Sequence, residues 1–294
     1  MLFRSATQPP PGTVSRILWH FTGGPKWDHT KNRQERRPKP ASEAYEALLA
    51  ILRSKQLHLG QYREVVRVRV PKLRRYNARK RQMEVVMNAE VNLHSSPVCC
   101  LADIPVAHLS YQADRYGKIA IGFHRESAVR NGFNPVFYTL HDTEVLRSVY
   151  RSFAQLKHLS AESLLRDAES DIDSQVEDLK CVHGNPVDVK RSLYDAGAAL
   201  RDIEGAVTKA QDGLMKFLAF IKSFDQGEFS TIYCEREWRS TTVFPFAMTD
   251  VAMIVLPKRS DEKSYFDLFV SEAARKLKCP RSIPVVPWED LIEH

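Results

Sequence analysis

Three short segments hold the residues best suited to chemistry. They are Leu18-Trp19-His20-Phe21-Thr22, then Cys100-Leu101-Ala102-Asp103 through Tyr111, and late in the chain Glu235-Arg236-Glu237-Trp238-Arg239. A neutral imidazole at His20, closing an apolar strand, can hydrogen-bond ribose hydroxyls, while the main chain at Phe21 and the polar Thr22 can hold a carboxamide. An aromatic ring can stack on a base. A carboxylate on a late strand can stabilise the cation left when a glycosidic bond breaks, an electrostatic task that works best where water is excluded. In this order the set suits a pocket for cleaving NAD. Glu235 and Glu237 are two apart, so in an extended strand both acids share a face. The plainer readings are a surface histidine at a strand end and a solvated edge strand of alternating charges.

Elements must exist to carry these groups. The pattern predicts a buried strand over 15–22, closed by Gly23-Gly24-Pro25, then a polar, Pro-bounded loop over 26–40. Tyr45, Leu48, Leu49, Ile51 and Leu52 recur at helical spacing, so a helix is expected over 41–54, with Ser42 able to cap its start. Val65, Val66, Val68 and Val70 predict a strand that Pro71 stops. Further strands are expected over 98–101, 119–123 and 135–140, and a short helix over 104–111 with Asp103 capping it. Over 143–224 apolar residues recur at helical intervals, as at Leu146, Val149, Tyr150 and Phe153, which predicts a helical insertion. Strand signals return at 230–234, 238–246 and 251–256, and a helix over 263–277 and a strand over 283–286 finish the chain. The expected class is α+β. The expected division is an arm over 1–13, a first half-domain over 14–142, the insertion over 143–227 and a second half-domain over 228–294.

With 294 residues, 43% of them hydrophobic, the chain can bury a substantial core. A net charge of +7 favours an anionic partner, DNA or RNA or a phosphorylated cofactor. No apolar run approaches the roughly 20 residues of a spanning helix, so no membrane role is expected. Five cysteines (Cys99, Cys100, Cys181, Cys234, Cys279) without CxxC spacing fit reduced thiols in a cytoplasmic protein, and no metal site is expected. From Arg63 to Arg81 nine Lys or Arg stand against one acid. Arg67, Arg69, Arg74, Arg75, Arg79 and Lys80 are the candidates to track a phosphate backbone, with one arginine alternatively holding a dinucleotide pyrophosphate. Tyr62 and Tyr76 could stack on bases. A solvated loop is the plainer reading of the run.

Leu18-Trp19-His20-Phe21-Thr22, followed by Ile51-Leu52 and Leu57-His58-Leu59, resembles the opening of the ADP-ribosyltransferase superfamily. The middle segment is similar to that superfamily's Tyr-Phe-Ala-Asp followed by a second tyrosine. Here Cys100 stands at the first aromatic position and Tyr111 at the second. The resemblance implies that Tyr111 packs on nicotinamide and that Glu237 is catalytic beside His20, with NAD as substrate and no metal. Glu235 completes the Glu-x-Glu pair. Phe21 stands where the superfamily has a small glycine. A second resemblance covers more of the chain. Trp19-His20-Phe21-Thr22, 98–105, 116–121, 135–138 and Glu235 through Arg239 together resemble the AbiGi group of bacterial abortive-infection proteins. Members are described as the antitoxin half of a two-gene phage-resistance system. The two resemblances imply different duties: an ADP-ribosyltransferase-like effector that modifies nucleic acid or protein, or a non-catalytic antitoxin that binds nucleic acid or a cognate toxin.

Overall fold

The structure, a computed structural model, describes residues 15–158, 202, 205–228 and 236–291, apart from 29, 31, 32, 36, 61, 78, 261 and 262. The expected arm, the expected strand over 230–234, Cys181, Cys234 and Glu235 lie outside the described residues. In chain order the strands are β1 (Ile17–Phe21), β2 (Trp27–Asp28), β3 (Arg33–Gln34), β4 (Gln56–Leu57), β5 (Arg63–Asn77), β6 (Gln82–Pro97), β7 (Cys99–Ala102) and β8 (Ala120–His124). They continue as β9 (Asn134–Pro135), β10 (Phe137–Leu140), β11 (Ile221–Phe224), β12 (Glu237–Ser240), β13 (Phe244–Pro245), β14 (Val251–Leu256) and β15 (Val285–Pro287). The helices are α1 (Ala41–Ser54), α2 (Leu109–Tyr116), α3 (Arg125–Arg130) and α4 (Glu144–His158), then a helix over 205–218. A last rod joins Tyr265–Leu268, the π-helical Phe269–Ala273 and Ala274–Lys276.

The chain folds as two compact units. The first comprises residues 1–63, 97–138 and 226–294, and the second residues 64–96 and 139–225. The second unit thus takes most of a long hairpin together with the chain that follows residue 138 as far as 225.

The first unit is built on a seven-stranded mixed sheet of order β15-β14-β8-β1-β7-β12-β9. Only the β14–β15 pairing is parallel; the other pairings are antiparallel. Side chains alternate across it, and each face is covered. One face carries Leu18, Leu101, Ile121, Phe123, Ile254 and Leu256, and packs on Tyr45, Leu48 and Leu52 of α1 and on Tyr265 and Phe269 of the last rod. The other carries Trp19, Ala120 and Val255, and packs on Ile104, Leu109 and Trp288. Each fully buried Leu, Ile or Phe contributes about 1.5–3 kcal/mol. Helix α1 forms over the expected range because its apolar residues repeat at three and four. It ends where Lys55 turns left-handed (φ 53) and returns its N–H to the Ile51 carbonyl. Pro40, not Ser42, precedes its first turn, with no side-chain cap.

The second unit holds nearly all of the β5/β6 hairpin, Thr139 and Leu140 of β10 with β11, then α4 and helix 205–218. Val66, Val68, Val70, Ala89 and Leu93 of the hairpin bury against Leu146, Leu218 and Ile221. Pro71 does not stop β5, which runs on to Asn77. The burial phase of both strands slips there instead. Val66, Val68 and Val70 point inward, then Leu73; on β6, Val86 points inward, then Ala89, Val91 and Leu93. Asn88 sits at the slip with φ 49, the left-handed backbone of a strand irregularity, and Pro is tolerated in a strand at such a place. The expected helical insertion also contains a strand, β11, since Ile221 and Phe224 are buried strand residues rather than a helix's last turn.

Candidate functional site

His20 on β1 and Glu237 on β12 lie on the two strands that flank β7 in the first unit's sheet, but on opposite faces. Trp19 pairs with Ala102, and Ala102 with Glu237, and residues paired across antiparallel strands share a face. Glu237 therefore lies with Trp19. His20, one residue on, lies with Leu18 and opposite Ile121 in the α1-facing layer. A one-residue difference in phase thus separates the two groups expected to share one cleft.

Around His20 the structure builds a tightly held imidazole. Its Nδ1–H donates to the Cys100 carbonyl at 3.1 Å, which leaves Nε2 as the acceptor. Burial, reinforced by the charge of Lys39 and partly opposed by that hydrogen bond, holds its pKa below the usual value of 6.5. Thr22, also nominated, is buried; its hydroxyl donates to the Ala44 carbonyl at 2.7 Å and so ties β1 to α1. Phe21 packs near Tyr116, ring centroids 6.2 Å apart, on the Trp19 face.

On the Trp19 face stands a second cluster. Arg239, 0% exposed, donates through Nε and Nη2 to both carboxylate oxygens of Glu237 at 3.0 and 2.8 Å. Cys100 pairs with Arg239 across β7 and β12, and burial together with the neighbouring Glu237 pushes its thiol pKa well up. The Glu237 backbone N–H donates to the Tyr138 hydroxyl at 3.0 Å, and its carbonyl accepts from Val136. Cys100 and Glu237 thus meet around a guanidinium. Arg239 is not among the candidate residues read from the sequence. The spacing that grouped Glu235 with Glu237 places Arg239 on that face as well, so the signal was present in Glu-Trp-Arg.

Tyr111 turns outward on α2, 52% exposed, while Leu109 and Ala113 of that helix pack inward. Asp103 caps no helix. It is buried and held by Arg236 at 3.2 Å and Arg125 at 3.5 Å, and Pro105 begins the following turn. Arg125 lies over the Trp238 ring at 6.0 Å. Among the described residues no three His, Cys, Asp or Glu side chains gather as a metal site, and no helix is long and apolar enough to cross a membrane.

The basic residues all fall on the hairpin of the second unit. Arg67, Arg69 and Arg74 are exposed on β5, and Arg79 and Lys80 are exposed in the turn. The Arg75 and Tyr76 side chains lie outside the described residues. Arg69 pairs with Asp142 at 3.1 Å and Lys80 with Glu84 at 2.9 Å. Arg69 also lines a groove of about 660 Å³ with Pro71, Asn88, Glu90, Asp142 and Arg147. Two carboxylates in that lining make it a poor track for a polyanion.

Comparison with protein families matches residues 63–289 to a family described as "Putative abortive phage resistance protein AbiGi, antitoxin". The chain belongs to the AbiGi family. The match takes in the basic hairpin, the Cys100–Asp103 segment and Glu237 through Arg239, and begins after β1 and His20. No curated protein and no solved structure matches the chain. Abortive phage resistance and the antitoxin description therefore stand, and they imply a cognate toxin as partner.

Proposed function

We propose that this AbiGi protein is a non-catalytic antitoxin that acts in abortive phage resistance by binding its cognate toxin. The observation that supports this most is the pairing of Glu237 with fully buried Arg239, on the sheet face that His20 does not share. A carboxylate held bidentately by a buried guanidinium has a structural partner for both oxygens. An ADP-ribosyltransferase pocket would need that acid and the imidazole to meet one NAD molecule. The test pairs two measurements on the full chain. Expressed alone it should leave growth unchanged, and with the toxin it should restore growth; the purified chain should neither bind nor consume NAD at millimolar concentration. Growth arrest on expression alone, relieved by Glu237→Gln, or release of nicotinamide, would overturn this reading in favour of the NAD-using effector.

A second reading rests on the hairpin, a two-stranded ribbon of the width the DNA major groove admits, carrying Arg67, Arg74, Arg79 and Lys80 exposed. Nucleic-acid binding by these residues would weaken steeply with salt. Titration of duplex DNA at two salt concentrations tests it.

A further inference from the structure

The tip of the β5/β6 hairpin carries an unusual combination. Met83, Val85 and Met87 alternate along β6, so they share one face, and they are 62%, 50% and 64% exposed. Their neighbours Leu73 and Val86 face the other way, into the core of the second unit. Inward packing therefore does not account for this stripe, and three exposed large apolar side chains in a row mark an interaction surface. In sequence, residues 72–88 contain six Lys or Arg (Lys72, Arg74, Arg75, Arg79, Lys80, Arg81) against the single acid Glu84. Lys72, Arg74 and Arg81 are exposed.

We propose that this face receives the protein partner, and that the occupant is an extended partner segment alternating acidic and aliphatic side chains. The inference rests on the antitoxin reading and adds the surface and the chemistry of what it binds. Charge complementarity selects an acidic segment, because acidic side chains are attracted to a rim of net positive charge whereas basic ones are repelled. The aliphatic stripe selects protein over nucleic acid, since Met and Val offer no flat ring for base stacking and desolvate without gain against phosphates. The period-two spacing of the stripe matches an extended partner rather than a helix.

The probe is a fluorescent twelve-residue peptide alternating glutamate with valine, titrated against the full-length chain by anisotropy. The wild-type chain should bind it, with affinity falling as salt rises. A version with lysine in place of glutamate should not bind. Replacing Met83, Val85 and Met87 together by serine should weaken binding at least tenfold, as should Lys72→Glu with Arg74→Glu. These side chains are exposed, and an unchanged thermal melt checks that the fold persists. Failure of the wild-type chain to bind the acidic peptide overturns the proposal. So does equal binding by the triple-serine variant, or tighter binding of a thymidine dodecamer that the serine substitutions leave intact. Coexpression separates the two levels. A triple-serine variant that still neutralises the toxin sinks the surface assignment alone, whereas a wild-type chain that fails to neutralise it sinks the antitoxin reading.

Discussion

Arg239, fully buried on β12, grips both oxygens of Glu237 two residues earlier on the same strand and the same face. Removing one member of a buried ion pair leaves the other charge without its counter-ion and shielded from water, at a cost of about 3–5 kcal/mol. Glu237→Ala should therefore lower stability by an amount in this range in urea unfolding, and Glu237→Gln by less, because the amide oxygen still accepts from the guanidinium. A stability unchanged in Glu237→Ala would show that the pair does not hold this face. Any loss of function in Glu237→Ala has to be read beside that unfolding curve.

Burial keeps His20 below its usual pKa of 6.5, so between its folded value and 6.5 the unfolded chain binds more protons than the folded one. Stability contributed by the neutral imidazole is complete above pH 6.5 and is lost as pH falls through the folded pKa. Urea midpoints measured from pH 8 to pH 5 should drop on the acid side, and His20→Gln should flatten that drop. A slope identical in the variant would assign the acid sensitivity elsewhere.

The Cys99 thiol is pushed up to about 12 by burial, and Cys100 is raised by burial and by Glu237. At pH 8 the thiolate at Cys99 amounts to about one part in ten thousand. Iodoacetamide should label Cys99 only as fast as the chain opens, and mass spectrometry of the peptide reads this directly. Linkage sets a second expectation. The neutral Cys99 thiol contributes fully below the unfolded thiol pKa of about 9, and that contribution declines as pH rises towards 12. Rapid labelling of Cys99 in the folded chain would contradict its burial.

Gly122 faces Trp19 across the β1–β8 ladder. A methyl group there would sit 2.5 Å from Ile17 Cγ2 and 3.0 Å from the indole ring, whose Nε1–H is fixed on the Ile104 carbonyl at 3.0 Å. Gly122→Ala should cost about 1–3 kcal/mol, the usual penalty of overpacking. Adding Ile17→Ala should recover part of it, and chemical unfolding of the single and double variants measures both. A Gly122→Ala chain as stable as wild type would mean that β1 and β8 can spread freely.

Sequence alone placed the elements whose local pattern is self-sufficient. The continuous apolar run of β14 and the three-and-four spacing of α1 could bury themselves in only one way, and both fell where the pattern put them. The α+β class followed from the same signals, and the i,i+2 rule already grouped the polar residues of the late strand. Tertiary structure decided the rest. It paired Trp19 with Ala102 and Ala102 with Glu237, and that register, a long-range choice no local pattern encodes, sent His20 and Glu237 to opposite faces. It carried β5 past Pro71, because the strand slips phase where Asn88 turns left-handed, and it left Met83, Val85 and Met87 outward although their hydrophobicity reads as core. Periodicity fixes which residues share a face; only the pairing of distant strands fixes which faces meet.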